Sequence, residues 1–130
     1  MAINFFYKFI IIMMLFSLSG CSQKIDRSEL IGKYFANHGK AIDTIELKPD
    51  GTYIYYYNSD NGNILSYINR WTFDYENKEP RITFEKFIFG LPGYSIRGPG
   101  YWDVEVEKSW GKIRLCIDTD LNFYYEKKSN

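Results

Sequence analysis

An alternation of apolar and polar residues on both sides of a Pro-Asp-Gly turn most constrains the fold of this chain. Proline, aspartate and glycine occupy positions 49–51, where they favour the backbone conformations of a tight turn. A three-residue loop there pairs Leu47 with Tyr53 and, two residues further along, Ile45 with Tyr55. Each strand then has one apolar face, so the turn and the alternation predict the same hairpin register.

The same alternation recurs after residue 30. It predicts about eight short strands, and no helix beyond a single turn at residues 29–31. Closure of such a meander removes the exposed edges of a small sheet. The turns are expected at residues 37–40, 48–52, 59–63, 76–80, 90–100, 108–111 and 119–121. The pattern therefore predicts an all-β fold, a small antiparallel meander barrel of about eight strands.

The N-terminal segment resembles the signal of a bacterial lipoprotein. Lys8 precedes an apolar run at residues 9–16, which is shorter than the ~20 apolar residues of a membrane-spanning helix. Leu-Ser-Gly-Cys at positions 18–21 matches a lipobox at all four positions. The resemblance implies cleavage after residue 20 and attachment of acyl chains such as palmitate at Cys21. An ordinary N-terminal anchor or a secretory signal with a chance cysteine is the alternative.

The lipobox divides the chain into a signal peptide (1–20), a lipidated cysteine with a short tether (21–29) and one β-barrel domain (30–128). Ser22 stands where an aspartate favours retention at the inner membrane in enteric-type lipoproteins. We therefore expect a lipid-anchored protein of the cell envelope, at the outer membrane and facing the periplasm where the organism has one. Cys116 is then the one free thiol, which leaves no intramolecular disulfide.

The charge of the chain is balanced, with 16 lysines and arginines against 16 aspartates and glutamates. A basic excess of the kind that attracts nucleic acid or anionic lipid head groups is missing from this composition. We therefore expect no nucleic-acid partner.

The segment 30–127 resembles the lipocalin-like domains of small bacterial lipoproteins. The resemblance lies in a glycine and an aromatic residue after a short helical turn (Gly32 and Tyr34), the Asp-Gly-Thr-Tyr hairpin at positions 50–53, and a strand that bears Trp71. Lipocalins usually carry a tryptophan two residues after the glycine, where this chain has Tyr34. The resemblance implies the barrel, without a ligand or residue roles.

Three carboxylates, Asp103, Glu105 and Glu107, are spaced two apart and share one face of a strand. They could bind a hard cation or supply the acid and base of a hydrolase. The preferred interpretation is structural: a four-residue loop after Glu107 would place it opposite Lys112, and Glu105 opposite Arg114. Asp103 would be left without a basic partner, facing the next strand.

His38 and Cys116 are weaker candidates for catalytic residues than the three carboxylates. His38 is the only histidine and lies in a Gly/Asn-rich turn, where a solvated residue is expected rather than a catalytic base. Cys116 is expected on the outer face, opposite Asp103; Arg114 could activate the thiol, but a small strand residue without a redox role is preferred. No histidine and cysteine set for zinc is present. We expect no enzyme activity, metal or cofactor.

Contacts with a partner are predicted in the Gly/Pro-rich stretch 90–100, which is expected to form a loop over one end of the barrel. Its candidate contact residues are Tyr94, Ile96 and Arg97. In the tyrosine run, Tyr53 and Tyr55 are assigned to the core and Tyr56 to the surface.

The sequence supports more than one function. The first hypothesis is a non-enzymatic envelope lipoprotein whose barrel binds a partner protein, as an inhibitor or an immunity-type factor. The alternative is a lipocalin-like carrier of a small apolar ligand, and a hydrolase built on the three carboxylates comes third. Rings that fill the interior would favour a protein partner over a carried ligand. The rings expected inside are Trp71, Phe73, Phe84 and Trp102.

Overall fold

The computed structural model describes residues 24–37, 43–58, 64–89 and 97–129. A short 3-10 helix, Arg27–Leu30, precedes the strands β1 (Gly32–Ala36), β2 (Thr44–Leu47), β3 (Thr52–Asn58), β4 (Ile64–Glu76), β5 (Glu79–Phe89), β6 (Arg97–Ser109), β7 (Lys112–Asp118) and β8 (Phe123–Lys127). Each strand pairs antiparallel with the next, and β8 returns to pair with β1. The fold is therefore all-β, a closed meander barrel of eight antiparallel strands, as predicted.

Alternation along the strands builds the core. On β6, Val104 and Val106 are buried, whereas Asp103, Glu105 and Glu107 on either side of them are exposed. Side chains therefore point alternately into the barrel and into solvent, which is the period of two that the sequence displays.

The Pro-Asp-Gly hairpin has the predicted register. Leu47 pairs with Tyr53, and Ile45 pairs with Tyr55. Asp50 Oδ1 accepts hydrogen bonds from the backbone N–H of Thr52 at 2.9 Å and from its hydroxyl at 2.6 Å. Gly51 has a φ of 87°, in the left-handed region that glycine adopts at little cost. Local turn chemistry thus sets the β2–β3 ladder.

Two other hairpins turn more tightly than predicted. β4 and β5 are joined by Asn77 and Lys78, with φ of 49° and 67°, and β6 and β7 by Trp110 and Gly111, with φ of 53° and 75°. Positive φ at both central residues is typical of a type I′ turn, whose twist matches that of the strands. The predicted four-residue loop between β6 and β7 is therefore wrong, because strand residues occupy its first two positions.

The shorter turn moves the β6–β7 register by two residues. Glu107 pairs with Arg114 instead of Lys112, and Glu105 pairs with Cys116 instead of Arg114. Because the shift is an even number of residues, the inward and outward faces stay as predicted. Only the cross-strand partners of the carboxylates change.

The stretch 90–100, predicted as irregular, contains the start of β6 at Arg97. The β5–β6 register shifts between Phe84 and Phe87, and Lys86 in this gap has a φ of 50°. A bulge of this kind leaves residues unpaired and bends the strand. Because the ladder is interrupted, Gly98, Pro99 and Gly100 lie within β6, although these residues predicted a loop.

The 3-10 helix closes one end of the barrel, here called the plugged end. Ile25 and Leu30 are buried there. The backbone N–H of Ile25 donates to the Tyr75 hydroxyl at 2.8 Å, which in turn donates to the Ile25 carbonyl at 2.9 Å. The Tyr34 hydroxyl donates to the Leu30 carbonyl at 2.7 Å. Residues 25–29, which the sequence assigns to the tether, thus pack against the barrel.

Charged side chains hold the helix in place. Glu29 Oε1 lies 2.6 Å from Lys108 Nζ, and the Glu29 carbonyl accepts a hydrogen bond from Lys127 Nζ at 2.6 Å. The ion pair with Lys108 lowers the pKa of the Glu29 carboxyl. The Arg27 guanidinium lies 4.4 Å from the centroid of the Trp71 ring, a cation–π contact. These contacts join the helix to three strands.

The opposite end of the barrel is here called the loop end. The strand ends that flank residues 38–42, 59–63 and 90–96 lie there, together with the β7–β8 turn at residues 119–122. The lipobox at 18–21, His38, Tyr94 and Ile96 lie outside the described residues.

Candidate functional site

Aromatic rings occupy the interior of the barrel towards the loop end. Phe87 is central, with ring centroids 4.5 Å from Trp102, 4.8 Å from Tyr55 and 5.5 Å from Phe84. Tyr53 packs edge-on to Phe84 at 5.0 Å. These separations are those of rings in direct contact.

The four rings predicted inside the barrel belong to this core. Trp71 and Phe84 are buried, and Phe73 and Trp102 are partly buried and packed against the core. The sequence did not single out Phe87, because the bulge at Lys86 changes the inward alternation along β5.

A carboxylate and two phenols lie inside the same barrel. Asp43 and Tyr55 are buried, and hydrogen bonds join both to the buried Tyr125 hydroxyl. Burial raises the pKa of Tyr125, and the neighbouring Tyr55 and Asp43 raise it further. The cluster therefore keeps Tyr125 as a neutral hydrogen-bonding group inside the aromatic core.

The predicted carboxylate row is exposed on the outer face of β6, and its partners differ from those expected. Asp103 Oδ2 lies 2.8 Å from Arg81 Nε on β5, so the prediction that Asp103 lacks a basic partner is wrong. The ion pair raises the pKa of the Arg81 guanidinium. Arg114 pairs in the ladder with Glu107, but its Nε donates to Glu126 Oε2 at 2.9 Å. Of the three carboxylates, Asp103 thus takes part in cross-strand charge pairing, and Glu105 lies opposite Arg81 in the β5–β6 ladder.

Cys116 is half-buried, with Glu105 opposite it in the ladder rather than Asp103. Its Sγ lies 3.7 Å from Glu107 Oε2. Burial, followed by the charges of Glu107 and Glu105, raises the pKa of the thiol to about 11, and Arg114 only partly opposes this shift. The thiol is therefore protonated at neutral pH, which contradicts an activated nucleophile at this position.

The predicted partner contacts are only partly described. Tyr94 and Ile96 lie outside the described residues, and Arg97 is the first residue of β6, where its backbone pairs with Phe89. The assignment of these three residues to a partner stays a prediction. In the tyrosine run, Tyr53 and Tyr55 are in the core, as predicted.

An exposed apolar strip, not predicted from the sequence, runs along the outer face of β3 and β4. Ile64 and Ile68 are exposed by 73% and 66%, and Ile54 pairs with Ile68 across the ladder. Tyr56 follows Ile54 on the same face, partly buried. We call Ile54, Tyr56, Ile64 and Ile68 the apolar strip. The alternation of Ile64, Ser66 and Ile68 was the available signal.

Among the described residues, one edge of β4 beside the strip has no ladder partner. Residues 71–76 of β4 pair with β5, but for residues 64–70 the described part of the chain shows a ladder with β3 alone. An unpaired strand edge presents backbone N–H and C=O groups that can pair with another chain. In the part of the chain that the structure describes, exposed apolar side chains and backbone groups outside a second ladder therefore occur together at residues 64–70 of β4.

A second unpredicted feature lies at the plugged end. Trp110, at the tip of the β6–β7 turn, is exposed by 99%. It borders a groove of about 630 Å³, with charged side chains along the walls. These are Lys108, Lys112, Lys127, Lys128, Glu29 and Glu126.

Within the described residues, no helix has the length and apolarity needed to cross a membrane. The same part of the chain contains no group of three or more His, Cys, Asp or Glu side chains placed to bind a metal ion. Comparisons with protein families, with curated proteins and with solved structures find no match to this chain.

Proposed function

We propose that this protein is a lipid-anchored envelope lipoprotein whose barrel binds a partner protein through the apolar strip and the open edge of β4. The anchor is the acylated Cys21 that the lipobox implies. The binding role is non-enzymatic, of the kind an inhibitor or immunity-type factor performs.

The apolar strip is the observation that carries the proposal. Ile64 and Ile68 are exposed by 73% and 66%, although isoleucine is usually buried. A strip of this kind beside an unpaired edge suits strand addition, in which a partner's backbone extends the sheet and its side chains cover the apolar residues. The partner is therefore expected to present an extended segment with apolar side chains.

The location of the strip also fits the predicted partner contacts. Ile64 begins β4 at the loop end, and Arg97 begins β6 at that end. A partner at residues 64–70 of β4 would thus lie at the same end of the barrel as the start of β6. Because the chain enters the barrel at the plugged end, this surface would face away from the anchor.

A carrier of a small apolar ligand is the second candidate. Its support is the aromatic interior with the buried Asp43, Tyr55 and Tyr125 cluster, which could receive an apolar molecule with a polar head. The rings in contact around Phe87 count against it, because they occupy the space that a ligand would need.

Native mass spectrometry of the protein purified from its own membranes distinguishes the two functions. A co-purifying protein that is lost in the double variant Ile64→Asp/Ile68→Asp supports binding at the apolar strip. Leu121→Asp, at an exposed residue of the β7–β8 turn, is the matched control and should keep the partner. If the double variant retains the partner, binding at the apolar strip is contradicted. A bound small molecule of fixed mass favours the carrier function. A protein with neither a partner nor a ligand contradicts both functions.

A further inference from the structure

The most unusual residue of the plugged end is Trp110. Its exposed fraction of 99% leaves almost the whole indole in water. The residue sits at a turn tip with a positive φ of 53°, a conformation that a bulky side chain seldom adopts. Neither burial nor turn geometry explains a tryptophan there.

Lysines surround this tryptophan. Lys108, Lys112, Lys127 and Lys128 line the groove beside it, against two glutamates. Lys108 is paired with Glu29 at 2.6 Å, whereas Lys112 is 63% exposed and lies 3.7 Å from its nearest carboxylate.

The formal net charge of the chain is zero, so attraction of the plugged end to anionic lipid would come from the local placement of Lys112 and Lys128.

The chain enters the barrel at this same end. Ile25 is fixed to Tyr75 by two hydrogen bonds, and it lies four residues after Cys21. Four residues span at most about 14 Å, at ~3.3–3.6 Å per residue. A lipid on Cys21 would therefore hold the plugged end against the bilayer surface.

We propose that the plugged end is a second membrane contact, in which Trp110 enters the interfacial region and Lys112 and Lys128 face anionic lipid phosphates. The proposal rests on the anchor at Cys21 that the proposed function includes. Tryptophan favours the membrane–water interface because its ring is apolar and its N–H is polar, and lysines near the surface are attracted to anionic lipids.

The two contacts together orient the barrel. A single lipid tether lets a domain tumble within reach of its linker, whereas a tether and an interfacial side chain at the same end restrict rotation. The loop end and the apolar strip at the start of β4 would then point away from the membrane.

The test uses the lipidated protein from its own membranes, reconstituted into phosphatidylethanolamine and phosphatidylglycerol vesicles with or without brominated acyl chains. The fluorescence of Trp110 is obtained as the difference between the wild-type protein and Trp110→Phe. It should shift to shorter wavelength on reconstitution and lose most of its intensity to the brominated lipid. Trp110→Phe/Leu121→Trp, which moves the tryptophan to the β7–β8 turn at the loop end, is the matched control and should be unaffected.

This contact is overturned if the brominated lipid does not quench Trp110 fluorescence. The anchor is still supported in that case if the protein floats with the vesicles and its mass includes the acyl chains. A mass without acyl chains overturns both. Lys112→Gln/Lys128→Gln should weaken the quenching in phosphatidylglycerol vesicles but not in pure phosphatidylcholine. Equal quenching of the wild-type protein and this variant in the anionic vesicles would overturn the role of the lysines.

Discussion

Tyr34 is the residue through which β1 holds the 3-10 helix. Its side chain is buried, and its hydroxyl donates to the Leu30 carbonyl at 2.7 Å. Tyr34→Phe keeps the ring but removes the donor to a buried carbonyl, so we expect a loss of about 1–2 kcal/mol in the free energy of unfolding. Urea denaturation followed by circular dichroism measures it.

Tyr101→Phe is the control for this residue, because the exposed Tyr101 loses a hydroxyl that water already solvates. Its denaturation midpoint should equal that of the wild-type protein. If both variants unfold at the same urea concentration, the hydrogen bond to the helix contributes nothing measurable.

At the scale of elements, the type I′ turns fix which residues of neighbouring strands meet. Gly111 has a φ of 75°, and an added Cβ would meet no atom within 4 Å. The cost of Gly111→Ala therefore comes from the backbone alone, and we expect about 1 kcal/mol of destabilisation in urea or thermal denaturation.

Gly100 on β6 provides a matched comparison. Its Cβ would also meet no atom within 4 Å, and its φ lies outside the left-handed region. Gly100→Ala should leave stability unchanged or raise it slightly, since alanine restricts the unfolded chain. A larger loss at Gly100 than at Gly111 would show that the turn conformation is not the controlling factor.

The elements also show what the sequence could and could not predict. The β2–β3 register was predictable because Asp50 and Gly51 are residues with a local reason to turn. Lys78 and Trp110 give no such signal, since both adopt positive φ against their usual preference. The sequence predicted both turns, within residues 76–80 and 108–111, but their two-residue length follows from strand pairing, which local patterns do not encode.

The candidate site was less predictable for a related reason. The ion pair of Asp103 with Arg81 depends on the β5–β6 register, which a bulge interrupts. The exposure of Ile68 depends on whether another element covers the outer face of β4. A strand pattern tells which face a residue occupies, but whether that face is covered is decided by elements distant in sequence.

At the scale of the whole molecule, buried tyrosines make the barrel sensitive to alkali. Burial raises the pKa of Tyr53 to about 12 and those of Tyr34 and Tyr125 above the usual range. An unfolded tyrosine titrates near pH ~10. The stability these neutral hydroxyls confer is therefore fully present below pH ~10 and is lost as the pH rises towards and beyond 12.

We expect the free energy of unfolding to fall above pH ~10 with a slope near 1.4 kcal/mol per pH unit for each buried tyrosine. Urea denaturation at a series of pH values measures the slope. Tyr34→Phe should lower this slope by about 1.4 kcal/mol per pH unit, whereas Tyr101→Phe should leave it unchanged. An unchanged slope in Tyr34→Phe would mean that Tyr34 already ionises in the folded protein.

The pairing of β8 with β1 also governs when the barrel can form. Glu126 pairs with Phe35, so the closing ladder joins residues near the two ends of the described chain. A ladder between such distant residues requires closure of a loop that spans nearly the whole domain, which slows folding. During synthesis, a nascent chain can build the hairpins from β1 to β7 in turn, but it cannot complete the cylinder until residues 123–127 have emerged. Closure of the barrel therefore depends on β8, the last of its strands to be synthesised.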